Sequence, residues 1–306
     1  RFHNQGSLTK VLSFIKSYLH FFSELLKKRY DIFYGVIYLS TFGIVKNLST
    51  ICLFRLFNRK STTILHFHRS DFDTFLSKKL NKILFRALDK LTSKYILLSD
   101  IQFKQSPLGN HKKFVLYNTI EEHYSQVKHT PRENELSIVY IGNYIKEKGI
   151  FDLLEAAKQY NSKNNPNIKL TSYGSISTDA VQDILHTYND INISINGPVT
   201  GKKKFELLAN ADLIILPSYN EGMPLILLEA LFVGLPVIIS NVGFIEDALG
   251  PNYPLYCEPK NSISIINCIK LFLTMDRKKL SQELKHKYNK FSHNEHKHQL
   301  LKIFEE

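Results

Sequence analysis

The sequence predicts an α/β protein built from two domains, each with a parallel sheet. Short apolar runs typical of buried strands alternate with segments whose apolar residues recur at helical spacing, which is the pattern of βα units. The chain has 306 residues, enough for two cores of ordinary size. Residues 126–134 have linker composition. We therefore predict domains over residues 1–130 and 131–306.

The first half of the chain alternates predicted helices and strands. Apolar residues recur at helical spacing over residues 8–29, and this segment ends in three basic residues. A long amphipathic helix is expected there, with packing on a sheet as the commoner use and a bilayer surface as the alternative. The other predicted elements are strands at 31–36, 64–67, 95–98 and 114–116 and helices at 45–57 and 73–91.

The second half repeats the βα pattern. Its clearest predicted elements are strands at 138–142, 214–216 and 237–240, helices at 151–160 and 225–231, and a helical tail over 276–306. Four histidines in the tail lie without carboxylate or cysteine partners, so a solvated face is a better interpretation than a metal site. These histidines are His286, His293, His296 and His298.

Two carboxylates eight residues apart bracket the start of the helix at 225–231. Glu221 lies in the loop after a buried strand, and Glu229 lies inside the helix, where it can face a cleft or solvent. Free amides at a helix start attract anions, and ligands collect at the carboxyl ends of parallel strands. Two glutamates at this spacing are common by chance, so the pattern alone does not define a site.

The surrounding residues add the specificity that the spacing lacks. Residues 217–230 read Pro-Ser-x-x-Glu-Gly-x-Pro-Leu-x-x-x-Glu-Ala, which resembles the Glu-x7-Glu signature of the retaining GT-B glycosyltransferases known as family 4, of the type found in bacterial polysaccharide biosynthesis. The resemblance runs from about residue 138 to 250, and it is thinner in the first half, at 66–69, 99–100 and 117–119. It implies two Rossmann-like domains, acceptor-side and donor-side, whose parallel sheets face a cleft.

The resemblance also implies a role for each matching residue. Lys148 would hold the diphosphate, Glu221 would approach hydroxyls of the donor sugar, and Glu229 would bind the nucleotide ribose. His68 resembles the acceptor-domain histidine that faces the donor sugar, with a packed histidine at a strand end as the alternative. The other implied donor-site residues are Gly142, Asn143, Gly174, Pro198, Val199, Gly222, Met223, Pro224 and Leu225.

Two departures from the family pattern stand out. Asn143 occupies the position of the usual arginine, so half of the diphosphate clamp is missing unless Lys146 replaces it. The family also opens with a strand and a glycine-rich loop, whereas this sequence begins at Arg1 without methionine. We therefore expect a fragment that lacks its first strand.

The chemistry implied by the resemblance requires no cofactor, because the nucleotide diphosphate-sugar is the donor substrate. No Asp-x-Asp pair follows a predicted strand, which favours a metal-free mechanism in which cations and amides stabilise the leaving diphosphate. No obligate side-chain nucleophile is visible, and the resemblance implies retention through same-face attack.

The charge is unevenly divided. Residues 1–130 contain 21 Lys and Arg and 8 Asp and Glu, whereas residues 131–306 contain 19 and 20. The first half also holds 21 of the 37 Phe and Tyr residues. Such a surface suits an anionic membrane or a nucleic acid backbone, which composition does not separate, and the alternative is an aromatic core with a solvated basic face.

No apolar run approaches the roughly 20 residues of a membrane span, and no cleavable signal peptide opens the sequence. The three cysteines have no metal-ligand spacing, which suits a reducing compartment. The predicted location is therefore cytoplasmic, peripheral at the inner face of the plasma membrane.

The leading hypothesis is a transferase that moves a sugar to a lipid-linked or saccharide acceptor. The alternatives are a soluble transferase that makes a small glycoside, a non-catalytic module that binds a sugar nucleotide, and a basic nucleic-acid binding protein. No nucleic acid partner is expected, because such a protein would need neither Glu221 nor Glu229.

Overall fold

The chain forms two compact units in a computed structural model, which describes residues 7–68, 72–109, 112–122, 136–163, 168–176, 178–188 and 192–305. The first unit comprises Arg1–Leu97 and Phe103–Val115, and the second comprises Leu98–Gln102 and Leu116–Glu306. The predicted boundary at 126–134 lies outside the described residues and stays a prediction.

Helices and parallel strands alternate along the first part of the chain. Its elements are α1 (Ser7–Lys27), β1 (Ile32–Val36), α2 (Thr41–Phe57), β2 (Thr62–His66), α3 (Phe72–Leu76), α4 (Lys79–Leu91), β3 (Lys94–Leu97), α5 (Asp100–Gln105) and β4 (Lys113–Val115). The four strands pair in the order β1-β2-β3-β4, and every pair is parallel. The predicted parallel sheet of this half is confirmed.

The long helix α1 packs against α2. Leu25 is buried, and the Tyr18 hydroxyl donates to the backbone oxygen of Lys46 at 3.1 Å. Helix α2 begins where the Ser40 hydroxyl accepts from the Gly43 amide at 3.0 Å, a side-chain N-cap. Helix α1 thus packs against a helix as well as lying near the sheet, while Leu19 and Leu26 stay exposed, so the choice between sheet packing and a bilayer surface stays a prediction.

The helix predicted over 73–91 is instead two helices, α3 and α4. The Ser77 hydroxyl donates to the Thr74 carbonyl, and the Asn81 amide donates to the Phe75 carbonyl at 2.9 Å. These side chains satisfy carbonyls that a continuous helix would bond through its own backbone. The prediction of a single helix is wrong for this reason.

The second unit contains a larger parallel sheet. Its elements are β5 (Leu136–Ile141), α6 (Ile150–Lys163), β6 (Ile168–Tyr173), α7 (Asp179–His186), β7 (Ile193–Asn196), α8 (Gly201–Asn210), β8 (Leu213–Leu216), α9 (Leu225–Val233), β9 (Val237–Ser240), α10 (Ile245–Leu249), β10 (Tyr256–Cys257), α11 (Ser262–Thr274), α12 (Arg277–Tyr288) and α13 (His293–Glu305). The strands lie in the order β10-β9-β8-β5-β6-β7.

This strand order contains a reversal of direction. From β5 the chain proceeds to β6 and β7 on one side, and then returns to β8, β9 and β10 on the other. All four residues of β8 are buried, and the neighbouring α9 is apolar nearly all round. The point where the order reverses, between β5 and β8, is where ligands collect in sheets of this kind.

The predicted helical tail consists of α12, a short 3-10 turn over Asn289–Phe291, and α13. Tyr288 donates to Glu122 Oε1 at 2.8 Å, and His296 Nδ1 donates to the Tyr117 carbonyl at 2.7 Å. His296 is therefore half-buried, contrary to the expected solvated face, whereas His286, His293 and His298 are exposed. These contacts all lie within the second unit.

Within the described ranges, none of the helices combines the length and the apolar character that a membrane crossing requires.

Candidate functional site

Two loops meet at the point where the strand order reverses. Strands β5 and β8 are neighbours, with Ile138 opposite Leu213 and Val139 opposite Ile214. The loop after β5 carries Gly142 to Gly149, and the loop after β8 carries Pro217 to Pro224. Both loops emerge at the carboxyl ends of their strands, so the residues predicted for the diphosphate and the donor sugar share one edge of the sheet.

The two loops pack together so closely that a side chain does not fit at Gly149. This glycine has φ 67°, and a Cβ atom on it would lie 2.0 Å from the Pro217 carbonyl oxygen. A few residues away, the Tyr219 amide donates to the Glu147 carbonyl at 2.8 Å. The backbone itself therefore holds the Lys148 loop against the Glu221 loop.

This close approach makes a testable prediction. Gly149→Ala should lower the free energy of unfolding by about 2 kcal/mol or more, because it combines a left-handed backbone with a steric clash. Urea denaturation of the whole chain measures the change. The matched control is Gly197→Ala, where a Cβ meets nothing within 4 Å and a change within about 0.5 kcal/mol is expected. Equal stability of the two variants would contradict the packing.

Lys148 and Glu221 form an ion pair. Lys148 Nζ lies 2.6 Å from Glu221 Oε1, and the Ser218 hydroxyl donates to the same oxygen at 2.8 Å. The side chain of Glu221 is 14% exposed and that of Lys148 is 33% exposed. The carboxylate is thus held from two sides, while the ammonium retains a surface that a ligand can reach.

The start of α9 is shaped by backbone contacts. Gly222 O accepts from the Phe244 amide at 3.2 Å, and Met223 O accepts from the Asn118 side-chain amide at 3.0 Å. Pro224 precedes the first helical residue, and among the described residues no side chain caps this helix. With these carbonyls occupied and its N-terminus uncapped, the helix presents amides beside Leu225, where an anion is favoured.

Glu229 is buried within α9, and the possibility that it faces solvent is wrong. Its Oε1 lies 2.5 Å from Lys204 Nζ on α8. Its Oε2 is buried and has no hydrogen-bond partner within the described part of the chain. Burial raises the pKa of Glu229, and the Lys204 ammonium opposes this rise. A buried carboxylate oxygen with unused acceptor capacity can receive hydroxyl groups from a ligand.

The loops after β5 and β6 are also in contact. Asn143 Oδ1 accepts from the Ser175 hydroxyl at 2.7 Å, and a Cβ on Gly174 would lie 2.0 Å from the Gly142 carbonyl oxygen. Asn143 is exposed, and so is Lys146. The side chain that replaces the usual arginine therefore joins two loops instead of projecting a charge.

Tyrosines beneath these loops support them. Tyr144 is fully buried, and its hydroxyl donates to the Asn196 carbonyl at 2.8 Å, at the end of β7. Tyr140 donates to the Asn143 carbonyl at 3.1 Å. Burial, with smaller effects of Tyr144 and Glu221, raises the pKa of Tyr140. Tyr140 therefore stays a neutral donor below the site.

Pro198 and Val199 follow β7 at the same edge of the sheet. Pro198 is exposed and Val199 is half-buried, and α8 begins two residues later at Gly201. Because α8 carries Lys204, the turn is connected through the Lys204–Glu229 pair to α9. The turn with Pro198 and Val199, which the family resemblance implies contacts the base, therefore leads into a helix that contacts the helix of the predicted ribose residue.

His68 lies in the first unit, two residues after the end of β2. Its ring lies against that of His66, with ring centroids 4.2 Å apart, and His68 is exposed. Partial burial lowers the pKa of His68. A neutral imidazole at a strand end fits both the predicted acceptor-side role and a structural one. Arg69 and Asp71, which follow in sequence and which the resemblance suggests help shape the acceptor site, lie outside the described residues.

Sequence reasoning assigned no role to Ser218, Tyr144 or Lys204. Ser218 lies inside the recognised motif, so its position next to Glu221 could have been suspected. Tyr144 and Lys204 reach their partners across 52 and 25 positions of the sequence. No local pattern connects residues at such distances.

The fold is that of a GT-B protein, with two parallel-sheet α/β domains. A solved structure with the same fold is HepE from Anabaena in complex with UDP and glucose, with a TM-score of 0.74 and 15% identity, covering 98% of this chain and 83% of that one. The chain belongs to the family of group 1 glycosyl transferases, and the model of this family matches residues 122–294.

Among curated relatives, the capsular polysaccharide biosynthesis glycosyltransferase CapH of Staphylococcus aureus is 27% identical over 55% of this chain and 48% of its own length. The alpha-galactosylglucosyldiacylglycerol synthase of Streptococcus pneumoniae is 31% identical over 40% of this chain and 33% of its own length. The chain thus matches at most about half the length of these two relatives.

Proposed function

We propose that this protein is a retaining, metal-independent glycosyltransferase that moves a hexose-type sugar from a nucleotide diphosphate donor to a lipid-linked or polysaccharide acceptor. The observation that carries the proposal is the Lys148–Glu221 pair, which lies where the strand order reverses and beside the uncapped start of α9. Cations and helix amides at such a position suit a diphosphate.

The proposed mechanism follows the charge that develops during transfer. As the glycosidic bond breaks, negative charge grows on the leaving diphosphate, and groups that interact more strongly with it in the transition state accelerate the step. Lys148 and the amides at Gly222 to Leu225 supply this stabilisation. Glu221, held by Lys148 and Ser218, accepts hydroxyls of the donor sugar and so orients it.

The nucleotide is held by the second carboxylate. Glu229 Oε2 is buried without a protein partner among the described residues, and the ribose hydroxyls supply the donors that it lacks. Pro198 and Val199 contact the base, and Gly142, Asn143 and Gly174 line the diphosphate path. For His68 we propose the acceptor-side role that the family resemblance implies. HepE, which binds UDP in its solved structure, supports UDP as the first nucleotide to test.

The names of the relatives and the distribution of charge support the proposed acceptor and location. CapH is named for capsular polysaccharide, and the S. pneumoniae relative is named for a glycolipid. A basic first half suits an anionic membrane surface, so the protein is proposed to act at the cytoplasmic face as a peripheral protein. This favours a lipid-linked acceptor over a small soluble one.

A panel of nucleotide diphosphates tests the donor site. UDP at 100 times its dissociation constant should stabilise the protein by about 2.7 kcal/mol, because it binds only the folded state. Thermal unfolding with UDP, GDP and ADP measures the shift, with uridine as the control that lacks the diphosphate. If no nucleotide diphosphate shifts the transition at millimolar concentration, the donor-site assignment fails.

A further inference from the structure

The first unit exposes large apolar side chains at the starts of two helices. We refer to Phe42 and Val45 on α2 and Leu80 and Ile83 on α4 as the α2–α4 patch. Phe42 is 72% exposed and Ile83 is 63% exposed, and the other two side chains are also exposed. Moving these four apolar side chains from water into an apolar environment would be favourable, and exposed apolar patches mark interaction sites.

The starts of the two helices are in contact, which brings the four side chains into one region of the first unit. The Thr41 hydroxyl donates to Asn81 Oδ1 at 2.8 Å. Phe42 directly follows Thr41, and Leu80 directly precedes Asn81. Phe42 and Val45 are three residues apart, as are Leu80 and Ile83, so each pair shares one helix face.

Basic side chains lie beside the patch. Lys79, Lys82 and Arg86 are exposed on α4. Helix α2 contains no acidic residue, and the single acid of α4, Asp89, lies 3.4 Å from Lys112 Nζ. On the α2 side, Lys46 Nζ lies 5.0 Å from the centroid of the exposed Tyr38 ring. The surface therefore combines apolar, aromatic and cationic groups.

We infer that the α2–α4 patch docks onto a bilayer that contains anionic lipids. Apolar side chains enter the boundary between headgroups and acyl chains, while Lys and Arg remain at the level of the anionic headgroups. A soluble acidic protein could pair with the basic side chains, but it would also need an apolar surface that matches the patch. A bilayer supplies both at once. The inference rests on the membrane-facing part of the proposed function, and it is independent of the donor site.

The protein contains no tryptophan, so a single introduced tryptophan reports on its own position. Phe42→Trp places the probe in the patch. Ile263→Trp places it at another exposed apolar position, on α11 of the second unit. Leu19→Trp places it on the exposed apolar face of α1 in the first unit. The proteins are mixed with vesicles of phosphatidylcholine alone or with 30% phosphatidylglycerol, roughly the anionic content that attracts basic segments.

With anionic vesicles, the probe at position 42 should shift to shorter emission wavelength and be quenched by brominated acyl chains, whereas the probe at 263 should not respond. Raising the salt from 0.1 M to 1 M should reverse the effect, because the Debye length falls from about 10 Å to about 3 Å. A response at position 19 or 263 without one at 42 assigns docking to another surface and overturns the inference. So does the absence of any response.

Charge variants provide the second measurement. Lys82→Glu with Arg86→Glu should weaken binding to anionic vesicles about tenfold or more. Lys270→Glu with Lys278→Glu, two exposed lysines of the second unit, is the matched control and should leave binding within about twofold. Equal weakening by both pairs would overturn the inference in favour of a non-specific effect of net charge. Stabilisation by UDP, measured in parallel, reports on the donor site and separates failure of docking from failure of the proposed transferase.

Discussion

Lys148→Ala is expected to lower kcat about 100- to 1,000-fold, the usual effect of removing one group that stabilises charge in a transition state. Lys148 Nζ is held 2.6 Å from Glu221 Oε1 in a loop that is fixed by backbone packing. The ammonium is therefore pre-positioned for the leaving diphosphate. Transfer at saturating donor concentration measures the change, because it separates turnover from donor binding.

Two further variants show whether the loss concerns the charge at this position. Lys148→Arg retains a cation and should recover part of the turnover. Lys163→Ala removes an exposed lysine at the opposite end of α6 and should leave turnover within about twofold. The ion pair is partly exposed, so Lys148→Ala should change stability little. Turnover unaffected by Lys148→Ala would remove the proposed role.

Glu229→Ala is expected to weaken UDP binding about tenfold or more, whereas Glu221→Ala should leave UDP affinity largely intact and lower turnover by a similar or larger factor. The first variant loses contacts to the nucleotide that exist in the ground state and in the transition state. The second loses a contact to the reacting sugar, which UDP does not contain. Calorimetric titration with UDP and transfer kinetics measure the two effects separately.

The Glu229 variant needs a control because its loss leaves Lys204 half-buried without its counter-ion. The double variant Glu229→Ala with Lys204→Ala removes this unpaired charge, and UDP binding should stay weak in it. Recovery of UDP binding in the double variant would show that the unpaired ammonium caused the loss. Unchanged affinity in the single variant would be the simplest contradiction of a ribose contact.

Several elements of the site could be predicted because their signals are local. The apolar run ending at Leu216, the Gly-x-Pro turn and the helix after it define a strand, loop and helix within about 20 residues. In the same way, the glycine and lysine residues after β5 define the loop that carries Lys148. The positions of Lys148 and Glu221 at strand ends are therefore contained in local sequence, and the family resemblance added their proposed roles.

Other features depended on groups that are distant in sequence. The break between α3 and α4 arises where Asn81 and Ser77 side chains bond backbone carbonyls, which helical periodicity does not register. The half-burial of His296 depends on the Tyr117 carbonyl, 179 positions earlier. Patterns of polarity along a helix describe its faces, but they do not show which neighbour covers each face.

The amino-acid sequence by itself determined the βα alternation, the parallel sheets, the family and the residues at the strand ends, because periodicity, turns and motifs act over a few residues. Only the tertiary structure decided that β5 lies beside β8, so that Lys148 meets Glu221 across 73 positions and Lys204 meets Glu229. The physical reason is that a parallel strand needs a long crossover before it pairs. Where that crossover returns is settled by the packing of the whole sheet and its helices, which no single segment encodes.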